Sequence, residues 1–284
     1  MWTDVVDLRD FYDSSLGQVA RRMIRRRVRA IWPDVRGQSL LGLGYATPYL
    51  RPFRGEAART IAVMPAQQGV LHWPPEGPNV VALADEAELP LPDLSIDRVL
   101  LVHGLEYTEQ LRPMLREIWR VLAGNGRLLV VAPNRRGIWA RLDHTPFGHG
   151  HPYTAAQLSR LLRDNMFTPI ESETAVFVPP SSWHLTLTTA PAWEKIGSRW
   201  FPTFSGVLMT EASKQVYAGT EVLTKRRIAL TPAASASKIR FRDSAAAEGE
   251  NALFADQVGD RAAALHVDRP SPAAEDHPLL DRQA

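Results

Sequence analysis

The chain has 284 residues, 45% hydrophobic and 23% charged, with a formal net charge of +2 and no cysteine. Length and apolar fraction suit one large domain or two small ones. A disulfide framework and a thiolate metal site are excluded, the charge makes no case for nucleic acid, and no apolar run approaches the ~20 residues that span a bilayer. The opening MWTDVVDLRDFYD carries acids where a signal peptide has a basic and then an apolar stretch, so a cytoplasmic setting is expected.

In chain order, Leu16, Val19, Ala20, Met23, Val28 and Ile31 recur at helical spacing and predict a helix over 14–32. Arg21, Arg22, Arg25, Arg26, Arg27 and Arg29 crowd that segment. They read either as its solvated face or as a patch for phosphates or an anionic membrane surface, and the solvated face is the commoner arrangement. Ser39 to Leu50, SLLGLGYATPYL, predicts a first strand running into a loop with Gly42 and Gly44. Thr60 to Val63 is a short second strand that ends in Met64-Pro65, and Asn79 to Leu83 a third, followed by Asp85.

Val99 to His103 is almost wholly apolar, as in a strand buried on both faces of a parallel sheet. Leu111, Met114, Leu115, Ile118, Trp119 and Leu122 then have helical spacing, Gly124-Asn125-Gly126 is expected to end that helix, and Arg127 to Ala132 to start another buried strand. Thr154 and Gln157 form a capping-box pattern before Leu158, Leu161 and Leu162. Phe167 to Val178 and Val207 to Lys214 complete seven predicted strands. Between them, 179–202 is an aromatic-rich insertion with Trp183, His184, Trp193, Trp200 and Phe201, read as a roof over an apolar pocket or as a protein-contact surface. Tyr217 to Leu230 extends the sheet edge or docks elsewhere, closing a domain over 1–230. In 231–284, Ala, Ser, Asp, Glu and Pro dominate, which predicts a disordered tail.

Several of these residues fall in one ordered phrase: Asp85, Leu89-Pro90-Leu91, Asp93, the strand to His103, Glu117-Ile118-Trp119-Arg120-Val121-Leu122, Asn125-Gly126 and the strand to Pro133-Asn134. The phrase resembles that of the small-molecule class I methyltransferases that use S-adenosylmethionine, specifically the methyltransferase type 11 family, and the likeness covers roughly residues 10 to 212. It implies an α/β, Rossmann-like fold with a seven-stranded, mostly parallel sheet flanked by helices. It also implies S-adenosylmethionine as cofactor, held at Tyr12, Gly42, Gly44, Met64, Asp85 and His103.

The cofactor loop departs from the family pattern of an acid followed by three alternate glycines. Gly42 stands at the acidic position, Gly44 keeps the first glycine, Ala46 replaces the second and Pro48 the third. Where the family ends its second strand in an Asp or Glu that accepts the ribose hydroxyls, this chain has Met64, with Gln67 and Gln68 nearby as substitutes. A charge-assisted hydrogen bond contributes roughly 1.5–3 kcal/mol, so loss of that acceptor weakens binding on the order of ten- to a hundredfold. Met64 reads as an adenine contact or as core. Asp85 matches the adenine-amino acceptor but also suits a turn cap, and His103 sits on the rim where open parallel sheets bind ligands.

Methyl transfer needs the nucleophile held in line and any proton removed. His103, Glu106 and Tyr107 are the candidate catalytic residues, with Asn134 as a positioner. His144, His149 and His151 invite a metal reading, but a lid or substrate-side loop suits them better and no metal is assigned. Three classes of function follow: methyl transfer to a small molecule; a methyltransferase-fold pseudoenzyme that binds a partner through Trp183, Trp193 and Trp200; and, weakest, a polyanion or membrane-surface binder acting through the arginines.

Overall fold

A computed structural model describes residues 4–180, 189–200 and 202–216. Trp183, His184, Phe201, the segment 217–230 and the tail 231–284 lie outside the described residues. Seven strands, β1 (Ser39–Gly44), β2 (Arg59–Pro65), β3 (Val81–Ala84), β4 (Ile96–Val102), β5 (Leu122–Pro133), β6 (Phe167–Ala175) and β7 (Val207–Lys214), form one sheet in the order β3-β2-β1-β4-β5-β7-β6. Neighbours pair in parallel from β3 to β5, whereas β7 runs antiparallel to both β5 and β6. The chain winds outward from β1 to β3 and then resumes on the other side of β1 with β4. The carboxyl ends of β1 and β4 therefore flank the switch point, where a crevice opens in sheets of this kind.

Two apolar layers cover the sheet. One holds Leu40, Leu100, Leu129 and Met209 under α1 (Val5–Asp13), α2 (Ser15–Ile31) and α3 (Thr47–Leu50). The other holds Leu41, Val99, Val130 and Ala212 under α4 (Leu111–Val121) and α5 (Ala155–Asp164). Alternate residues of a strand supply opposite layers, as pleating requires. A further helix, α6 (Ala190–Trp200), precedes β7.

Helix α2 agrees with the expected 14–32 to within a residue at each end, but a separate helix precedes it, broken at Ser14, whose side chain caps α2 by accepting from the Gly17 N–H. Tyr12 thus belongs to α1. Leu16, Ala20, Met23, Ile24 and Val28 face the core, while Arg29 and Arg27 pair with Glu56 and Glu173. The amphipathic reading accounts for the arginine-rich segment.

The expected glycine stop of α4 is corrected. The helix ends at Val121, Leu122 caps it in an extended conformation, and Gly124-Asn125-Gly126 are already strand. Between the pairings Ile96–Leu122 and Arg98–Arg127, β5 advances five residues against two on β4, so the glycines accommodate a bulge. The capping box Thr154–Gln157 is present at α5.

The Glu117–Arg120 part of the phrase holds the connection from β3 to β4. Arg120 donates to the Leu89 and Leu91 carbonyls at 2.9 Å and to the carboxylates of Glu117 and Asp93, while Glu117 Oε2 accepts from the Leu89 N–H at 2.9 Å. The paired guanidinium holds the Glu117 carboxyl below its usual range. Replacing Arg120 by Met removes this donor from two carbonyls and two carboxylates. The expected loss is roughly 2–3 kcal/mol in chemical denaturation; an unchanged midpoint would show that this clamp is idle.

Candidate functional site

At the switch point β1 ends in Gly44 at φ +76°, a conformation that favours glycine, and a Cβ there would collide with the Val102 carbonyl oxygen. Tyr45 N–H then donates to that same carbonyl at 2.8 Å, which turns the chain into α3. Pro48 lies in the first turn of α3, where a missing N–H costs nothing, so this proline fits the local fold. A Cβ on Gly42 would approach Leu50 Cδ1 to 2.5 Å: absence of the acid there is tied to tight helix–strand packing. Both glycines have a structural reason, independent of any ligand.

His103 follows β4 at φ +50°. It is buried, and both ring nitrogens are engaged: Nε2 lies 2.7 Å from Tyr12 Oη and Nδ1 3.0 Å from Glu106 Oε1. Tyr49 Oη donates to Tyr12 Oη at 2.8 Å. An ionised carboxylate only accepts, so Nδ1 carries the proton toward Glu106 and Nε2 accepts from Tyr12. A one-way chain results, from Tyr49 through Tyr12 and His103 to Glu106. Burial pushes the phenols of Tyr12, Tyr49 and Tyr107 well above their ordinary range, and that of Tyr45 up to about 12. Neutral phenols are what this chain needs.

Aromatic rings pack round it. Tyr45 stacks on Tyr12 at 5.7 Å, and Phe147, from the loop after β5, lies 5.1 Å from the His103 ring. That loop is tied to the rim: Tyr107 Oη donates to the Pro146 carbonyl at 2.6 Å, and the His151 N–H to the Glu106 carbonyl at 2.9 Å. Its histidines diverge, with His144 at the Pro180 carbonyl and His149 at the Asp143 carbonyl. Among the described residues no three ligating side chains gather.

Next to His103 remains a cavity of about 30 Å³, lined by Pro65, Gln67, Gln68, Glu86, Gly104 and Thr108. That is room for little more than one or two waters. Two buried acceptors, Gln68 Oε1 and Glu106 Oε2, have no hydrogen-bond partner. Gln68 Nε2 donates to the His103 carbonyl at 2.8 Å, and Glu86 accepts from the Thr108 hydroxyl at 3.0 Å. Of the two residues with an unpartnered acceptor, Gln68 lines the small cavity between the ends of β2, β3 and β4, and an unsatisfied acceptor there fits a ligand with hydroxyl or amino donors, such as an adenosine-containing cofactor. A whole nucleoside fits only if α1 or the loop carrying Phe147 gives way.

The structure thus brings Tyr12, His103 and Glu106 into contact, with Gly44 beside them and Tyr107 turned to the loop. Asp85 is exposed, with Oδ1 accepting from the Ala87 N–H at 2.8 Å, the geometry of a turn cap. Met64 is buried in the apolar layer beneath α1 and α2. Asn134 donates to the Thr203 and Ser205 carbonyls, joining the end of β5 to the approach to β7. Tyr49 and Glu86 were not anticipated: tyrosine two residues into a short helix and glutamate beside a candidate aspartate carry no distinctive spacing.

The phenols set a pH limit. A tyrosine held above its unfolded pKa contributes stability that is complete below about pH 10, the unfolded value, and that is lost as pH rises toward about 12 for Tyr45 and beyond for Tyr12 and Tyr49. Tyrosinate absorbance is therefore expected to rise together with loss of the folded signal above about pH 10; ionisation of most tyrosines in a still-folded protein would contradict the packing described. Gly44→Ala is expected to cost on the order of 2–4 kcal/mol of stability, and a thermal-melt midpoint near wild type would refute the role of its φ.

Comparison with known proteins agrees with this geometry. Residues 41–130 match a family model described as a methyltransferase domain. Two probable S-adenosylmethionine-dependent methyltransferases of Mycobacterium tuberculosis (strains CDC 1551 and H37Rv) are each 37% identical over 117 residues, 40% of this chain and 42% of theirs. The chain thus matches about two fifths of the length of these curated relatives. Among solved structures, an S-adenosylmethionine-dependent methyltransferase of Thermotoga maritima superimposes with TM-score 0.52 at 16% identity, over 74% of this chain and 96% of that one. A methyltransferase of Haloferax volcanii, solved with the Trm112 methyltransferase activator, gives 0.51 at 16% identity over 75% and 96%. These two likenesses concern the fold. Residues 41–130 thus match a methyltransferase domain model, and the whole sheet has the Rossmann-like fold of these solved structures.

Proposed function

We propose that the protein transfers a methyl group from S-adenosylmethionine to a small molecule. The observation that carries this reading is the position of the buried Tyr12–His103–Glu106 chain beside the cavity at the carboxyl ends of β2, β3 and β4, which Gln68 and Glu86 line. The family match over 41–130 supports it. When bound, the cofactor supplies an activated methyl group. Gln68 and Glu86, which line the cavity, would hold its adenosine part, and the resemblance adds Asp85 beside them and the loop from Gly44 to Ala46 for the remainder.

His103 Nε2 is the proton acceptor of the site. Glu106 fixes the imidazole through Nδ1 and stabilises the charge that forms when Nε2 is protonated. Tyr12 Oη donates to Nε2 and accepts from Tyr49 Oη, so a proton taken up at Nε2 is the Tyr12 proton, replaced on Tyr12 from Tyr49, while the charge of Tyr12 stays suppressed by burial. Phe147 and Tyr45 exclude water around the ring.

One observation favours a second reading, a pseudoenzyme that serves as a partner-binding subunit. Met64 stands in place of a carboxylate, the aromatic side chains leave about 30 Å³ of free cavity, and α6 exposes Trp193 and Trp200 to solvent. Calorimetric titration with S-adenosylmethionine and its demethylated product separates the two. The methyltransferase reading expects saturable micromolar binding, weakened about tenfold or less in Asp85→Ala, whose turn cap is replaceable. A folded protein with no binding up to millimolar ligand would exclude it and leave the partner reading.

A further inference from the structure

Helix α6 turns one face to the fold and another to solvent. Ala190 and Gly197 are buried, a Cβ on Gly197 would meet Phe177 at 2.5 Å, and Glu194 accepts from the Phe177 N–H at 3.0 Å. Trp193, Ile196 and Trp200, spaced i, i+3 and i+7, share the opposite face. All are exposed, Trp200 at 69%, and Phe204 just beyond the helix is exposed as well. Large apolar side chains grouped in this way in solvent mark an interaction face.

The arginines of α2 border it. Arg27 pairs with Glu173 of β6 at 3.6 Å. Burial raises the Glu194 carboxyl, opposed by the Phe177 N–H and by the charges of Arg27 and Arg26, so these two arginines stand beside α6. Arg22, Arg25 and Arg26 are exposed, and among the described residues none pairs with a carboxylate. Arg199 adds an exposed cation in the last turn of α6. Helix α2 contains no acid, and the acid of α6, Glu194, is turned inward.

We propose that α6 and the outward arginines of α2 form one docking face for an anionic phospholipid surface. Trp193, Ile196 and Trp200 enter the boundary between headgroups and acyl chains, and Arg22, Arg25 and Arg26 meet lipid phosphates. Indole rings suit that boundary, and a face of rings and guanidiniums without an outward acid complements anionic headgroups. Against a second copy of the same face it would set cation on cation. The inference is independent of methyl transfer, and either can fail alone.

The test is co-sedimentation of the full chain with vesicles of phosphatidylcholine alone and of phosphatidylcholine mixed equally with phosphatidylglycerol, with circular dichroism as a folding control. Wild type is expected to prefer the anionic vesicles about tenfold or more, less so at high salt. Trp193→Ser with Trp200→Ser is expected to weaken that binding about tenfold or more, and Arg25→Gln with Arg26→Gln to remove most of the preference for anionic lipid. No binding of the folded wild type to either vesicle overturns the proposal, as does binding that neither variant changes. A dimer that the tryptophan variant dissociates, in a protein that ignores vesicles, assigns the face to a second copy instead. Should the tryptophan variant not fold, the arginine variant, altered only at exposed side chains, decides.

Discussion

A histidine buried at the end of a central strand must have both nitrogens paired, and the rim of this sheet is organised around that demand. His103 draws Tyr12 from α1, Tyr49 from α3 through Tyr12, and Glu106 from its own loop, while its carbonyl takes the amide of Gln68 after β2. Separate segments of the chain meet at one residue. Removing the imidazole would strand a buried carboxylate and a buried phenol together.

The closure of this rim bears on the proposed chemistry. Gly44 brings β1 against β4 so tightly that no side chain fits between them, and Tyr45 and Phe147 fill the space beside His103. In the proposed reading the cofactor and the aromatic packing compete for the same volume. Ligand binding therefore draws on the stability of α1, whose first N–H donates to the Gln68 carbonyl at 2.8 Å, and on the loop held by Tyr107 and Pro146. A site of this kind binds a nucleoside more weakly than an open one, because part of the interaction energy displaces packed side chains.

Much of the fold was legible in the sequence because burial leaves a pattern: the apolar run Val99 to Val102, the helical spacing from Leu111 to Val121 and the Thr154–Gln157 box all hold. The glycines at 124 and 126 misled because bulge and helix stop share the same residue types. In the site, His103 and Glu106 were found from their position after a buried strand, and Tyr12 from a resemblance. Gln68 was named from the same resemblance, whereas Tyr49 and Glu86 gain their roles from contacts with Tyr12 and Thr108, 37 and 22 residues away, and such pairing has no local signature.

The central claim is that the rim around His103 receives an adenosine cofactor. Hydrogen–deuterium exchange with and without S-adenosylmethionine tests it at residue level. The account predicts slower exchange at Gly44–Tyr45, at Gln68 and at His103–Gly104, with exchange in α1 altered as Tyr12 is displaced or re-packed. Unchanged exchange at all these amides in saturating cofactor, with the protein folded, would contradict it.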